Sequence, residues 1–169
     1  WAKEIDERAG QLADAVRDAR TQRHDPDGFF LREFLEPKVR YWRMTNASDV
    51  KITFTGDDDH IVYAYKEQTW RTVRHLLRNA AEALATTPVK QITLRVHPLS
   101  SEQVELQIQD NGPGLDFEAR RHSLREPFTT KNNHNTRQSG GFGLLIAQSL
   151  VETMGGSIHL YPAAEGQGA

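Results

Sequence analysis

Two short segments of the chain carry polar side chains next to bare backbone, at spacings that could serve a binding site. His75 and Asn79 are four residues apart in a segment with helical periodicity, so both side chains lie on one face of the predicted helix. Asp110 ends an alternating segment and is followed by Gly112 and Gly114. An ionised carboxylate only accepts hydrogen bonds, so Asp110 could receive one from an amino group such as the exocyclic amine of adenine. The two glycines would let a flat base or a ribose approach the backbone closely.

Two segments further along the chain are suited to phosphate oxygens. A polar loop supplies hydroxyl groups and a lysine ammonium, together with an aromatic ring that can anchor the loop to the core. A glycine-rich stretch then opens a predicted helix, whose free N-terminal amides can bind phosphate. Taken alone, each of the four segments also fits an ordinary structural interpretation, as an exposed helical asparagine, a tight turn, a packed loop or a helix start. The candidate residues in these two segments are Phe128, Thr129, Thr130, Lys131, Gly140, Gly141, Gly143 and Leu144.

The composition of the chain limits the classes of protein to consider. With 169 residues, of which 37% are hydrophobic, the chain can form one folded domain, or one domain with a short appendage. It has no cysteine, which excludes a disulfide framework, a thiolate nucleophile and a cysteine-based zinc site. Its 21 basic and 23 acidic residues give a net charge of -2, so nucleic acid is not expected as a main partner. We expect no membrane-spanning segment and no signal peptide, because no apolar stretch approaches about 20 residues and charge runs throughout the N-terminal segment.

Hydrophobic periodicity predicts an α+β domain behind a separate N-terminal helix, with helices on one face of a mostly antiparallel sheet. In residues 1–20, the apolar positions alternate at spacings of three and four, which is typical of a helix that packs along another helix, or of an amphipathic helix on its own domain. Pro26 and Gly28 then break the helix and indicate a linker. The segments that follow are predicted as a helix from Phe29 that Pro37 could kink, two strands around residues 56–59, a helix over 67–85, a strand hairpin over 90–110, a polar loop over 115–141, a helix from residue 142 and a strand at 157–162.

The order of the four candidate segments resembles the N, G1, F and G2 boxes of the GHKL ATPase superfamily. The helix with Asn79 matches the first box, the turn that begins at Asp110 matches the second, the loop around Phe128 the third and the stretch that begins at Gly141 the fourth. Within that superfamily, residues 29–169 resemble the catalytic and ATP-binding domain of a bacterial sensor histidine kinase. The resemblance implies a Bergerat-type fold, which is a two-layer α/β sandwich with a mixed sheet of about five strands backed by about three helices.

The resemblance also implies a place for this domain in a larger protein. Residues 1–23 are similar to the end of a dimerisation helix, residues 24–28 to a linker and residues 29–169 to the catalytic domain. The implied partners are the dimerisation and phosphoacceptor domain of the same protein, a response regulator, and a second copy in a homodimer. The accepting histidine is expected outside this chain, because His24 lies beside the helix breaker Pro26. The domain is expected to be a cytoplasmic portion of a parent that could be anchored in a membrane.

For the site itself, the resemblance implies that ATP and Mg²⁺ are bound. It assigns Asn79 to Mg²⁺ through the side-chain oxygen, a hard ligand for a hard cation, and Asp110 to the adenine amine. Gly112 and Gly114 would shape the pocket for the base. The loop and the start of the last helix would contact the rest of the nucleotide through Phe128, Thr129, Thr130, Lys131, Gly141, Gly143 and Leu144.

The resemblance finally implies a reaction. His75 stands where ATP-hydrolysing members of the superfamily commonly place a glutamate that activates water. A histidine there favours phosphoryl transfer to a protein, so His75 and Asn79 are expected as the catalytic residues of a histidine kinase. The pattern departs from the family at Ser139, which replaces the first glycine of the fourth box, and at Glu82, where many kinases have a basic residue. Two alternatives are a nucleotide-gated interaction module without kinase activity and a protein serine kinase of the same superfamily.

Overall fold

The computed structural model of the protein describes residues 26–56, 60–114 and 143–161. Within these ranges the chain contains five strands and three helices, which confirms the predicted α+β class. The elements are β1 (Asp27–Phe30), α1 (Leu31–Asn46), β2 (Lys51–Thr55), β3 (Ile61–Ala64), α2 (Lys66–Ala83), β4 (Gln91–Pro98), β5 (Val104–Asp110) and α3 (Gly143–Thr153).

The strands pair in a mixed pattern. β2, β4 and β5 form a sheet in that order, in which β2 runs parallel to β4 and β4 runs antiparallel to β5. A parallel pair needs a long crossover, and the helix α2 lies in the connection between β2 and β4. The predicted hairpin of β4 and β5 is confirmed, with Ile92 opposite Asp110 and Pro98 opposite Val104. β5 therefore ends beside the first residues of β4.

The core lies between the helices and one face of this sheet. Along β4, Ile92, Leu94 and Val96 are buried while the residues between them are exposed or half-buried, which is the period-two pattern of a strand covered on one side. A stripe of apolar residues on α2 faces the sheet, because spacings of three and four place these residues on one helix face. Its buried members are Val73, Leu77 and Ala80, Leu84 is buried just after the helix, and α1 adds Leu31, Leu35, Val39 and Trp42.

The first strand was not expected from the sequence. Asp27 and Gly28 were assigned to a linker and Phe29 and Phe30 to a helix, but all four form β1, which pairs antiparallel with β3. Gly28 faces Tyr63, and a Cβ atom at Gly28 would lie 3.0 Å from the tyrosine Cε1, so the ring packs closely over this glycine. The prediction was wrong because the hydrogen-bond partner of β1 is more than thirty residues away in the chain.

Two further details differ from the expectation. Pro37 lies inside α1 without dividing it, since buried Leu35 and Val39 on either side hold the helix against the core and offset the cost of the missing hydrogen bond. Residues 157–161, predicted as part of a strand, are not in one. Alternation indicates that a segment could be half-buried when extended, but a strand also needs a neighbour for its backbone hydrogen bonds.

The end of α3 agrees with the sequence. The helix ends at Thr153, and Gly155 then adopts a left-handed conformation with φ of +78°. The amide of Gly156 donates to the carbonyl of Val151 over 3.0 Å, which satisfies one of the last free carbonyls. Of the helices in the described ranges, none is both long and apolar enough to cross a membrane.

Packing of α2 on the sheet should stabilise the domain most strongly where its side chains are fully buried, as at Leu77. Leu77→Ala removes a side chain with 0% exposure, so we expect the free energy of unfolding to fall by about 2–5 kcal/mol in urea titrations followed by circular dichroism. The matched control Leu99→Ala changes a leucine that is 59% exposed, and we expect it to stay within about 0.5 kcal/mol of wild type. Similar losses for both variants would contradict this description of the core.

Candidate nucleotide-binding site

The helices α2 and α3 pack antiparallel and bring two of the predicted segments together. Near the start of α2, the hydroxyl of Thr153 donates to Gln68 Oε1 over 3.1 Å. Near the other end, a Cβ atom at Gly143 would lie 3.0 Å from Asn79 Oδ1. The two contacts are about 15 Å apart along either helix, so the helices run alongside each other over the whole length of α3. The first residue of α3 therefore lies beside Asn79.

The contact between Asn79 and Gly143 combines an oxygen ligand with a helix N-terminus. The first amides of a helix have no partner within it and carry a partial positive charge, which favours anions. Asn79 Oδ1 is a neutral oxygen of the kind that Mg²⁺ accepts. A side chain at Gly143 would push the amide of Asn79 aside, so the glycine predicted for this position lets α3 begin directly against Asn79.

Asp110 lies at the end of β5 and is buried. Its Oδ1 atom accepts a hydrogen bond of 2.8 Å from the amide of Gly112. Burial raises the pKa of the Asp110 carboxyl above its ordinary value, while hydrogen bonds from the amides of Gly112 and of Asp110 itself act in the opposite direction. A carboxylate has more acceptor sites than this contact uses, so Asp110 retains the capacity to accept an N–H from a ligand.

The turn after Asp110 packs against the end of α2. A Cβ atom at Gly112 would lie 2.8 Å from Asp110 Oδ1 and 3.2 Å from the carbonyl oxygen of Ala83, so only glycine fits there. Gly114 has a φ of +75°, a conformation that glycine adopts without strain. Ala83 is four residues after Asn79 and lies one helical turn further along the same face of α2. The turn and the Asn79 contact thus meet on the C-terminal half of one helix.

His75 lies one turn before Asn79 on α2 and is half-buried. Burial, together with the nearby charges of Arg74, Arg71 and Arg78, lowers the pKa of His75 from 6.5 to about 4. At neutral pH the imidazole is therefore uncharged, and it can exchange a hydrogen bond without adding positive charge to the site.

The structure brings together the described part of the predicted site. Asn79 lies on α2, Gly112 and Gly143 lie against that helix, and Asp110 accepts the amide of Gly112. Gly114 continues the turn, and half-buried Leu144 follows Gly143. The predicted residues Phe128, Thr129, Thr130, Lys131 and Gly141 lie outside the described residues.

One polar residue of the turn was not singled out in the sequence. The side-chain Nδ2 of Asn111 donates to the carbonyl of Val89 over 2.7 Å, and its Oδ1 accepts from the amide of Gln91 over 2.8 Å. Its position between Asp110 and Gly112 is visible in the sequence, but the partners are about twenty residues away and become neighbours only through the hairpin of β4 and β5.

The sequence of this domain is similar to a known protein family and to known proteins. Residues 64–169 match the family described as histidine kinase-, DNA gyrase B-, and HSP90-like ATPase. The chain is 38% identical over 104 residues to nitrogen regulation protein NtrY of Azorhizobium caulinodans, covering 59% of this chain and 13% of that protein. It is 26% identical over 166 residues to the signal transduction histidine-protein kinase/phosphatase MprB of Mycobacterium ulcerans, covering 97% of this chain and 31% of that protein.

Solved structures share the fold. The mycobacterial sensor histidine kinase MprB superposes with a TM-score of 0.66 at 23% identity, covering 84% of this chain and 91% of that one. The ATP-binding domain of PrrB from Mycobacterium tuberculosis gives a TM-score of 0.63 at 18% identity, covering 86% and 92%. The α+β fold with its mixed sheet is thus the Bergerat-type fold of histidine kinase ATP-binding domains.

The family match covers more than half of the chain. The chain therefore belongs to the family of histidine kinase-, DNA gyrase B- and HSP90-like ATPases, within which it is a catalytic, ATP-binding domain of the sensor histidine kinase type. It spans less than a third of the length of either relative described above.

The lowered pKa of His75 predicts how the free energy of unfolding depends on pH. Between pH 6.5 and about 4 the unfolded chain binds a proton at this residue and the folded chain does not, so acidification favours unfolding in this window. We expect the fall in the free energy of unfolding from pH 7 to pH 4.5 to be smaller in His75→Gln than in wild type, measured by urea titration.

Arg74→Gln provides a second, graded variant. It removes one of the charges that lower the pKa of His75, so its pH dependence should lie between those of wild type and His75→Gln. An identical pH dependence in all three proteins would show that His75 does not titrate as described.

Proposed function

We propose that this domain binds ATP together with Mg²⁺ and transfers the γ-phosphoryl group to a histidine on a dimerisation domain of the same protein. The observation that carries the proposal is the contact between Asn79 Oδ1 and the first residue of α3, where a Cβ atom would come within 3.0 Å of that oxygen. A ligand for a divalent cation and a binding site for anions are adjacent there, which is the combination that a magnesium nucleotide requires.

The proposed position of the base follows from Asp110 and the glycine turn after it. The Asp110 carboxylate would accept the adenine amine, and the turn at Gly112 and Gly114 would take the flat base against the backbone. The buried carboxylate and the glycine turn support this position of the base. A buried charge costs free energy unless hydrogen-bond donors compensate it, and the adenine amine would be such a donor. ATP would then extend from the turn towards the N-terminus of α3, along the face of α2 that carries both Ala83 and Asn79.

We propose that the chain promotes the reaction mainly by positioning the triphosphate and Mg²⁺. Mg²⁺, when bound, would neutralise charge on the phosphates, and Asn79 would hold it on the side of α3. We propose further nucleotide contacts from Phe128, Thr129, Thr130, Lys131, Gly141 and Leu144, whose types suit a loop closing over phosphates and a helix start beneath them.

His75 supports transfer to a protein over hydrolysis. An imidazole is neutral or positively charged, so His75 does not supply the negative charge that a glutamate would direct at an attacking water, and its pKa of about 4 keeps it neutral at pH 7. We propose that His75 holds a hydrogen bond beside the phosphates and leaves the acceptor to come from another domain. The relatives named as histidine kinases, NtrB among them, support this direction.

The organisation of the parent protein is part of the same proposal. Residues 1–23 would be the end of a dimerisation helix in a homodimer, joined by the linker at residues 24–28, of which Asp27 and Gly28 extend into β1, to the catalytic domain of residues 29–169. The phosphoryl group would pass from the histidine to a response regulator. Since ATP is the donor, the domain would be on the cytoplasmic side of a membrane-anchored parent.

Asp110→Asn tests the base pocket. The variant keeps an oxygen for the Gly112 amide but replaces a carboxylate acceptor with a group that also carries N–H donors, so we expect ATP to bind at least about tenfold more weakly in calorimetric titrations. Because burial raises the pKa of Asp110, the charged form costs stability at pH 7, and the variant should unfold at no lower urea concentration than wild type.

Asp27→Asn is the matched control for this substitution. Asp27 pairs with Lys66 at 3.5 Å on exposed β1, away from the turn, and we expect unchanged ATP affinity there. Equal affinity of wild type and Asp110→Asn for ATP would reject the assigned pocket.

Asn79→Ala tests the cation site and the reaction together. We expect the variant to bind adenosine as wild type does, to lose the gain in ATP affinity that Mg²⁺ provides, and to lose phosphoryl transfer. Transfer is measured with γ-labelled ATP and a separately made dimerisation domain, and the product should be acid-labile, as phosphohistidine is. Binding without transfer in wild type would favour the interaction module, and an acid-stable product would favour the serine kinase.

A further inference from the structure

Asn111 ties the turn of the base pocket to the segment that leaves α2. Its side-chain Nδ2 donates to the carbonyl of Val89 over 2.7 Å, and its Oδ1 accepts from the amide of Gln91 over 2.8 Å. Its own backbone amide donates to the carbonyl of Gln91 over 3.2 Å. Three hydrogen bonds therefore join this one residue to residues 89–91.

The chemistry of these bonds requires a carboxamide. A side-chain amide offers a donor and an acceptor together, so it can pair with a carbonyl on one side and an amide on the other, as a peptide group does. A serine hydroxyl is too short to reach both, and an aspartate would place a second acceptor against the carbonyl of Val89. Of these three side chains, asparagine alone keeps both bonds at this position.

The segment held by Asn111 connects both halves of the site. Residues 84–90 run from the end of α2 to the start of β4, and α2 carries Asn79. On the other side of Asn111, the amide of Gly112 donates to Asp110 Oδ1, and Gly112 lies against the carbonyl of Ala83 at the end of α2. Asn111 thus joins the turn to α2 by a second route, through the connecting segment.

We infer that Asn111 is a positioning residue for recognition of the base. By holding the turn on residues 89–91, it fixes the distance of the Asp110 carboxylate from α2, so that the contact for the base and the contact for the phosphates belong to one rigid frame. In this role Asn111 acts through Asp110 and Gly112 and supplies no group to the nucleotide itself. The inference rests on the proposed function, since it assigns a role in binding ATP.

A purely structural role would give a different result, which allows a direct test. Asn111→Ala and Asn111→Asp are titrated with ATP and GTP by calorimetry at a temperature at which each variant is fully folded. We expect ATP to bind about tenfold more weakly to both, with one site per chain retained, because Asn111→Ala loses both side-chain hydrogen bonds that hold the turn in place and Asn111→Asp loses the one to Val89. We also expect the preference for ATP over GTP to decrease, since a displaced carboxylate no longer favours the adenine amine.

Asn46→Ala is the matched control. Asn46 also makes two side-chain hydrogen bonds, to the carbonyl of Trp42 over 3.0 Å and to the Thr45 hydroxyl over 2.7 Å, at the end of α1. It should lose stability without any change in ATP affinity or in the preference for ATP. A double variant of Asn111→Ala with Asp110→Asn should bind ATP no more weakly than Asp110→Asn alone, because the first residue acts through the second.

The outcomes separate the inference from the proposed function. If wild type binds no ATP, the proposed function is wrong. If wild type binds ATP and the folded Asn111 variants bind it equally well with the same preference over GTP, the inference is overturned while the function stands. Should Asn111→Ala fail to fold, Asn111→Asp, which keeps the acceptor for the Gln91 amide, decides the question on the same measurements.

Discussion

Burial of one face of α2 is the constraint on which the rest of the site depends. Leu77 and Leu84 have 0% exposure and hold the helix against the sheet. With that face covered, the positions of Asn79 and Ala83 on the helix are determined, because an α-helix leaves no freedom of rotation between residues a few positions apart. The N-terminus of α3 packs at Asn79, and the turn after β5 packs at Ala83. A mobile α2 would leave neither contact in place.

The order of strands explains why the turn reaches this helix. β4 lies parallel to β2, so the chain has to cross over between them, and α2 is the crossover. β4 therefore starts just after α2 ends. β5 returns antiparallel and finishes opposite Ile92 near the start of β4, which places Asp110 next to the end of α2. The meeting of two segments that are about thirty residues apart is a consequence of one parallel and one antiparallel pairing.

The site also contains groups whose burial opposes folding. Desolvation raises the pKa of Asp110 and, together with neighbouring arginines, lowers the pKa of His75, so each ionised form is disfavoured where it stands. Such costs are typical of places where a protein retains polar groups for binding. In this domain they are set next to two glycines, Gly112 and Gly143, at which a side chain would collide with Asp110 and Asn79 respectively.

Much of the domain could be predicted from the sequence, and the errors have a common cause. Patterns within short stretches of sequence are enough to predict four features: the amphipathic helix α2, the β4–β5 hairpin, the glycine turn and the end of α3. The tertiary structure determines that residues 27–30 form a strand and that residues 157–161 do not. It also determines that the Asn111 side chain is hydrogen-bonded to Val89 and Gln91. Tertiary structure also decided that the pKa of His75 is lowered to about 4, because burial and the neighbouring arginines depend on the fold. Periodicity describes which face of a segment is apolar, whereas strand pairing, hydrogen-bond partners and desolvation depend on residues that are distant in the chain.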